Sequence, residues 1–151
     1  MLPPDVTWRL LLAAALGAAL GLEREYRQKP AGLRTNILIA LGSALFTILS
    51  GMMGHEGGTT DRISAQIVTG IGFLGGGAIL RSRNTVHGMT TAATIWVNAA
   101  IGMAAGAGQF RLATVAALLT LVVLVLLPPF EMYFERRAGW PDRHHNVPSD
   151  R

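Results

Sequence analysis

Cysteine is absent from all 151 residues, which excludes disulfides, thiolate metal sites and cysteine nucleophiles. Carboxylates are scarce and unevenly placed, with no Asp or Glu between Asp61 and Glu131. Charged residues make up only 15% of the chain against 50% hydrophobic ones, and the mean hydropathy is +0.39. A chain so poor in charge is too apolar for an ordinary soluble domain, and a bilayer is its natural solvent. The net charge is +4. Its basic residues are scattered through short loops and form no patch interleaved with aromatics, which argues against nucleic acid as a partner. No P-loop lysine occurs either, which argues against ATP-driven pumping by this chain alone.

What the chain does have is long apolar runs. Residues 6–22, 35–53, 63–80, 89–107 and 112–127 each reach or approach the length needed to cross hydrocarbon. They predict an all-α membrane protein, a bundle of about five transmembrane helices filling residues 1–130. A polar tail, 131–151, follows the break set by Pro128 and Pro129 and is expected to be partly disordered. The first run is not read as a signal peptide, because the basic residues of the segment Glu23 to Lys29 follow it instead of preceding it. Arg24, Arg27, Lys29, Arg34, Arg81, Arg83, Arg136, Arg137, Arg143 and Arg151 fall on one side of such a bundle, and only Arg9, Arg62 and Arg111 on the other. The positive-inside rule then predicts an outer N-terminus and a cytoplasmic C-terminus.

Glycine is abundant inside these runs. The segment Gly70 to Gly75 matches the G-x-G-x-x-G pattern of dinucleotide-binding folds, but no strand precedes it and no acidic residue follows at the required distance. Close helix packing is the better account, since small residues let backbones approach where lipid supplies no hydrophobic drive. Gly17 with Gly21, Gly72 with Gly76 and Gly102 with Gly106 are G-x-x-x-G pairs, and with Gly70 and Gly75 they predict a tight bundle or homo-oligomer. A local break of the third span, offering backbone carbonyls to an ion, is the alternative.

The polar residues inside the apolar runs fall on stripes. Thr90, Thr94 and Asn98 recur every four residues beside Thr91, Asn36, Ser43, Thr47 and Ser50 share a side of the second span, and Arg62, Gln66 and Thr69 share a side of the third. Two readings stand: interhelical hydrogen bonds as packing contacts, or a shared polar cavity with Asp61 and Arg62 at its outer mouth and Glu23, Arg24, Glu25 and Arg34 at its inner one. Asp61 and Glu23 are weak candidates for Mg²⁺, a hard cation that needs only one or two carboxylates and keeps several waters. Glu23 and Glu25 read more simply as an interfacial collar paired with Arg24, Arg27 and Lys29. Apart from that possible Mg²⁺, no cofactor is expected. His55, His87, His144 and His145 lie near no serine elbow and keep no metal-ligand spacing, so the chain is not expected to be an enzyme.

Four segments carry a family resemblance in the right order: GLERE at 21–25, AGLRTN at 31–36, DRISAQIVTGIGFLGGGAI at 61–79 and NTVHGMTTAATIWVNAAIG at 84–102. In these the chain resembles the MgtC/SapB family of bacterial membrane proteins, over most of residues 17–108. The resemblance implies an inner-membrane protein of about five spans with a role in adaptation to low magnesium and, in pathogens, in survival inside host cells. For the biochemistry it implies either magnesium transport or regulation of other membrane proteins such as the F-type ATP synthase. MgtC-like members usually carry a C-terminal cytoplasmic domain resembling ACT domains. Only a short polar stretch follows Pro129 here, so a short form is expected.

Overall fold

The computed structural model describes residues 4–53, 61–82 and 85–138. Five helices follow one another: α1 (Val6–Tyr26), α2 (Leu33–Met53), α3 (Asp61–Gly77), α4 (Met89–Gly106) and α5 (Phe110–Ala138). Between α3 and α4 a two-stranded antiparallel hairpin pairs β1 (Leu80–Ser82) with β2 (Thr85–His87). The chain is an all-α membrane protein with this small hairpin at one end. α1, α2 and the segment Phe110–Phe130 are long and apolar enough to cross a membrane, while α3 is shorter. At about 1.5 Å per residue the 17 residues of α3 reach roughly 25 Å.

Neighbouring helices alternate in direction. Arg9 of α1 meets Gly106 at the end of α4, Arg24 meets Thr91 at its start, and Arg27 meets Val125 late in α5. The ends of α1, α3 and α5 and the starts of α2 and α4 therefore share one face. On it lie Arg24, Arg27, Lys29, Arg34, Arg81 and Arg137. Arg9 and Arg111 lie at the other.

α4 packs on all four other helices, and α2 packs most extensively on α1 and on α4. The reason is a run of small residues on all three helices. A Cβ at Gly17 would fall 2.7 Å from the Asn36 carbonyl oxygen, and one at Gly21 2.6 Å from Leu33 Cα. From α4, a Cβ at Gly102 would lie 2.9 Å from Ala40 Cα and one at Gly106 2.8 Å from Ala44 Cα. Ala40 and Ala44 are fully buried. The core is thus backbone against backbone, closed by Leu20, Ile101, Ala105, Ala113 and Ala117.

The third glycine pair does not behave this way. Gly70, Gly72, Gly76 and Gly77 have nothing within 4 Å of a built Cβ, and only Gly75 touches a neighbour, at 3.5 Å from the Ala92 carbonyl oxygen. The packing expected at Gly70, Gly72 and Gly76 is absent among the described residues, because α3 leans on α4 through Gly75 and Ile71, leaving Gly72 and Gly76 outward and Gly70 on the groove beside α2.

Two boundaries also differ from expectation. α1 runs a further turn past Leu22, so Glu23 and Arg24 stand on the helix and not in a loop. α5 passes through Pro128 and Pro129 and continues to Ala138 instead of stopping at Leu127. Pro129 has no N–H for the Val125 carbonyl four residues earlier. The Arg27 guanidinium donates to that carbonyl from Nη2 at 3.1 Å, supplying the donor that the proline lacks and sparing the helix a break. Pro129→Ala restores a backbone donor. The stability cost of Arg27→Ala should therefore be about 0.5–1 kcal/mol smaller in the Pro129→Ala background than in the parent, read as the coupling term of a double-mutant cycle.

The turns need special backbone. Gly88 has φ +89°, and a side chain there would collide with the Ala78 carbonyl oxygen, so the hairpin can enter α4 only through glycine. Gln28 and Ala31 also have positive φ, 53° and 57°, a strained state for such residues, held in place by contacts described next.

Candidate functional site

The polar residues of α1, α2 and α4 converge where the three helices meet. Asn36 and Asn98 are both 0% exposed. Asn98 Nδ2 donates to the Asn36 backbone carbonyl at 2.7 Å and to Asn36 Oδ1 at 3.0 Å. Asn36 Nδ2 donates in turn to the Gly32 carbonyl at 3.0 Å and to the Ala31 carbonyl. The side chain of Asn36 thus ties α4 to the strained turn before α2. Glu25 completes that turn by accepting from the Leu33 N–H at 3.1 Å.

Toward the basic face lies Arg24, 4% exposed. Its Nη2 donates to Thr91 Oγ1 at 2.7 Å, and its Nε is buried without a partner. Glu23, one residue earlier, points elsewhere: its Oε1 accepts from Arg27 Nε at 2.8 Å, with the carboxylate 8% exposed and Oε2 unpartnered. Asn98 Oδ1 is the third buried polar atom without a partner among the described residues.

At the opposite end Arg9 is fully engaged. It meets Asp5 at 2.9 Å and donates to the Gly106 carbonyl at 2.8 Å, where the negative end of α4 favours a cation. Hydrogen bonding to Arg9 holds the Asp5 carboxyl below the usual carboxylate range.

Several expected members stand apart. Thr94 is buried but returns its hydroxyl to the Thr90 carbonyl at 2.8 Å, and Thr47 returns its own to Ser43 at 2.8 Å. Arg34 is exposed and joins no cluster. The side chains of Asp61 and Arg62 lie outside the described residues. Gln66 does not meet Asn36 or Asn98. It lines a groove of about 750 Å³ between α2 and α3, with Leu38, Phe46, Ile67, Gly70 and Leu74 as further walls and Ile95 of α4 behind. Among the described residues the three stripes therefore do not surround one polar cavity: Asn36 of α2 is sealed against Asn98 of α4, whereas Ser43 of α2 and Gln66 of α3 line the same apolar groove. The sealing follows from the glycine contacts, which bring α2 and α4 too close to admit a path between them. Among the described residues no three His, Asp or Glu side chains gather as metal ligands.

Sequence reasoning missed the partner of Arg24, the Arg9 contact with Gly106 and the donor to Val125. Ala40 and Ala44, four apart on α2, were a legible signal for the surface that receives Gly102 and Gly106.

A family model described as the MgtC family matches residues 10–133. Among curated proteins, "Uncharacterized protein slr0014" of Synechocystis is 47% identical over 129 residues, 85% of this chain and 55% of that protein. "Putative magnesium transporter YhiD" of Escherichia coli K12 is 49% identical over 123 residues, 77% of this chain and 57% of its own. "Protein MgtC" of Salmonella typhimurium LT2 is 49% identical over 118 residues, 78% of this chain and 50% of its own. The chain spans about half the length of the curated relatives it matches. No solved structure matches it.

Proposed function

The chain belongs to the MgtC family, and from that premise we propose that it is a non-enzymatic regulator that adapts a bacterial membrane to low magnesium by docking onto other membrane proteins. One observation carries the reading. Asn36 and Asn98 are spent on each other between α2 and α4, whereas Gly72 and Gly76 on the outer face of α3, and the apolar groove that Gly70 lines, are open. Small residues on an open face let a second transmembrane helix approach closely, and Gln66 at the groove wall offers it a hydrogen-bonding group. A subunit of an F-type ATP synthase is the kind of partner that the family resemblance suggests, and survival inside host cells the setting in a pathogen. The protein sits in the inner membrane, its basic face with the C-terminus in the cytoplasm.

The test separates docking from folding. Gly72→Leu and Gly70→Leu are expected to leave the melting temperature in detergent within a few degrees of the parent, yet to abolish rescue of growth in low magnesium by this chain at equal abundance. Full rescue by both variants would reject the docking face.

A second reading, cation transport, takes its support from the name of the Escherichia coli relative and from the orphaned Glu23 carboxylate oxygen. Reconstituted liposomes discriminate: magnesium flux that Glu23→Gln removes would favour transport, and docking predicts no flux above protein-free vesicles.

A further inference from the structure

Two arginines of α1 bracket α4, and they are treated oppositely. Arg9 and Arg24 are fifteen residues apart, roughly 22 Å along the helix. α4 is 18 residues long, roughly 27 Å. Arg9 sits where α4 ends and finds both a carboxylate and a helix-terminal carbonyl. Arg24 sits where α4 begins. There the helix presents its positive end, so a buried cation is set against a like partial charge.

The Glu23 carboxylate, one residue away, offsets this only in part, because it is paired with Arg27. Thr91 stands in the first turn of α4 and gives Arg24 only a neutral oxygen. The first turn has no acidic residue, and Gly88 supplies no side-chain cap, leaving the N–H groups of Met89, Thr90 and Thr91 without intrahelical acceptors. Of the carboxylates close in sequence, Glu23 is committed to Arg27 and Glu25 to the Leu33 N–H. Arg24 Nε remains unbonded and buried. Burying a charge whose donors are not all bonded is costly, so this arrangement of guanidinium, hydroxyl and helix N–H groups is suited to an anion.

The geometry points to a phosphoryl-binding site formed by Arg24, Thr91 and the first turn of α4. The planar guanidinium suits a phosphate fork. Thr91 Oγ1, having accepted from Arg24, keeps a proton to donate, and the helix N-terminus is the ordinary protein device for holding such an anion. The site lies in the last turn of α1, on the face that carries Arg27, Lys29, Arg34 and Arg81. That is the depth of lipid headgroups, and basic pockets between transmembrane helices bind acidic ones. A phosphodiester headgroup and free phosphate share the recognised chemistry. The inference does not depend on the docking reading, because it uses no residue of α3.

Thermal unfolding and native mass spectrometry of the full chain in maltoside micelles test it, with phosphatidylglycerol, cardiolipin and inorganic phosphate as separate probes. The parent is expected to gain several degrees on addition of the anionic lipids and to retain one lipid that Arg24→Gln releases, with affinity lowered tenfold or more. Arg9→Gln, which also removes an interhelical arginine contact but not this site, is expected to bind as the parent does. Stabilisation by inorganic phosphate alone, lost in Arg24→Gln, would assign the same site to the free anion. Should Arg24→Gln fail to fold, Thr91→Val keeps the charge and removes the hydroxyl, and a several-fold weaker affinity is expected. No response of the parent to any probe, or equal binding by Arg24→Gln or, in its place, Thr91→Val, would overturn the assignment.

Discussion

Alanine in place of Gly102 should destabilise the bundle by about 2–3 kcal/mol, the upper part of the range for a packed core forced to take extra atoms. The new methyl would collide with the carbonyl of Ala40, and Ala40 Cα itself would stand 2.9 Å away. These are backbone atoms, so no rotamer change can relieve the clash and α4 must move off α2. That movement would also stretch the bonds from Asn98 to Asn36, one turn closer to the basic face. The same substitution at Gly72 meets open space. It should be neutral or stabilising by up to about 1 kcal/mol through helix propensity. Equilibrium unfolding in mixed micelles measures both, and equal losses at the two positions would show that α2 and α4 are not joined at their backbones.

Asn36→Ala and Asn98→Ala form the second large effect, each costing about 2 kcal/mol. Interhelical hydrogen bonds in membranes average near 0.6 kcal/mol because an unfolded helix finds other partners in lipid. Here the value should sit above that average. One amide makes two bonds to its partner at full burial: losing Asn98 strands Asn36 Oδ1, and losing Asn36 leaves the Asn98 amide only the backbone carbonyl. Asn36 also holds the carbonyls of Ala31 and Gly32, so its loss should release the positive-φ turn as well. Hydrogen exchange should show this as faster exchange of the Leu33 and Asn36 amides in Asn36→Ala than in Asn98→Ala. The double variant should cost about 1 kcal/mol less than the two singles together. Strict additivity would mean that the two side chains do not interact.

The glycine pairs illustrate why a motif reads unevenly. Spacing alone places Gly17 with Gly21, Gly72 with Gly76 and Gly102 with Gly106 on helix faces, and a face is a property of one helix. Whether another backbone lies against it depends on how all the helices pack, and α3 turns its pair away. Pro128 and Pro129 misled for a related reason. A proline stops a helix when its missing donor goes unreplaced, and the replacement, Arg27, comes from a residue about a hundred positions earlier. Glu23 and Arg24 were legible as a charged collar, but their separate commitments, one to α5's side and one to α4, required the phase of α1 as it is actually packed.

By itself the sequence determined that this chain lives in hydrocarbon, that it does so as helices, and which residues are too polar to face lipid tails. Those are consequences of composition and local periodicity, since the bilayer penalises every exposed peptide group and side-chain charge in the same way wherever it occurs in the chain. Only the tertiary structure decided which of those polar groups meet. Asn98 could have faced Gln66 across water and instead closes on Asn36, because Gly102 and Gly106 bring α4 onto Ala40 and Ala44 of α2. Contacts between residues some sixty positions apart are set by complementary shape, and shape is shared between helices, whereas a sequence pattern belongs to one helix at a time.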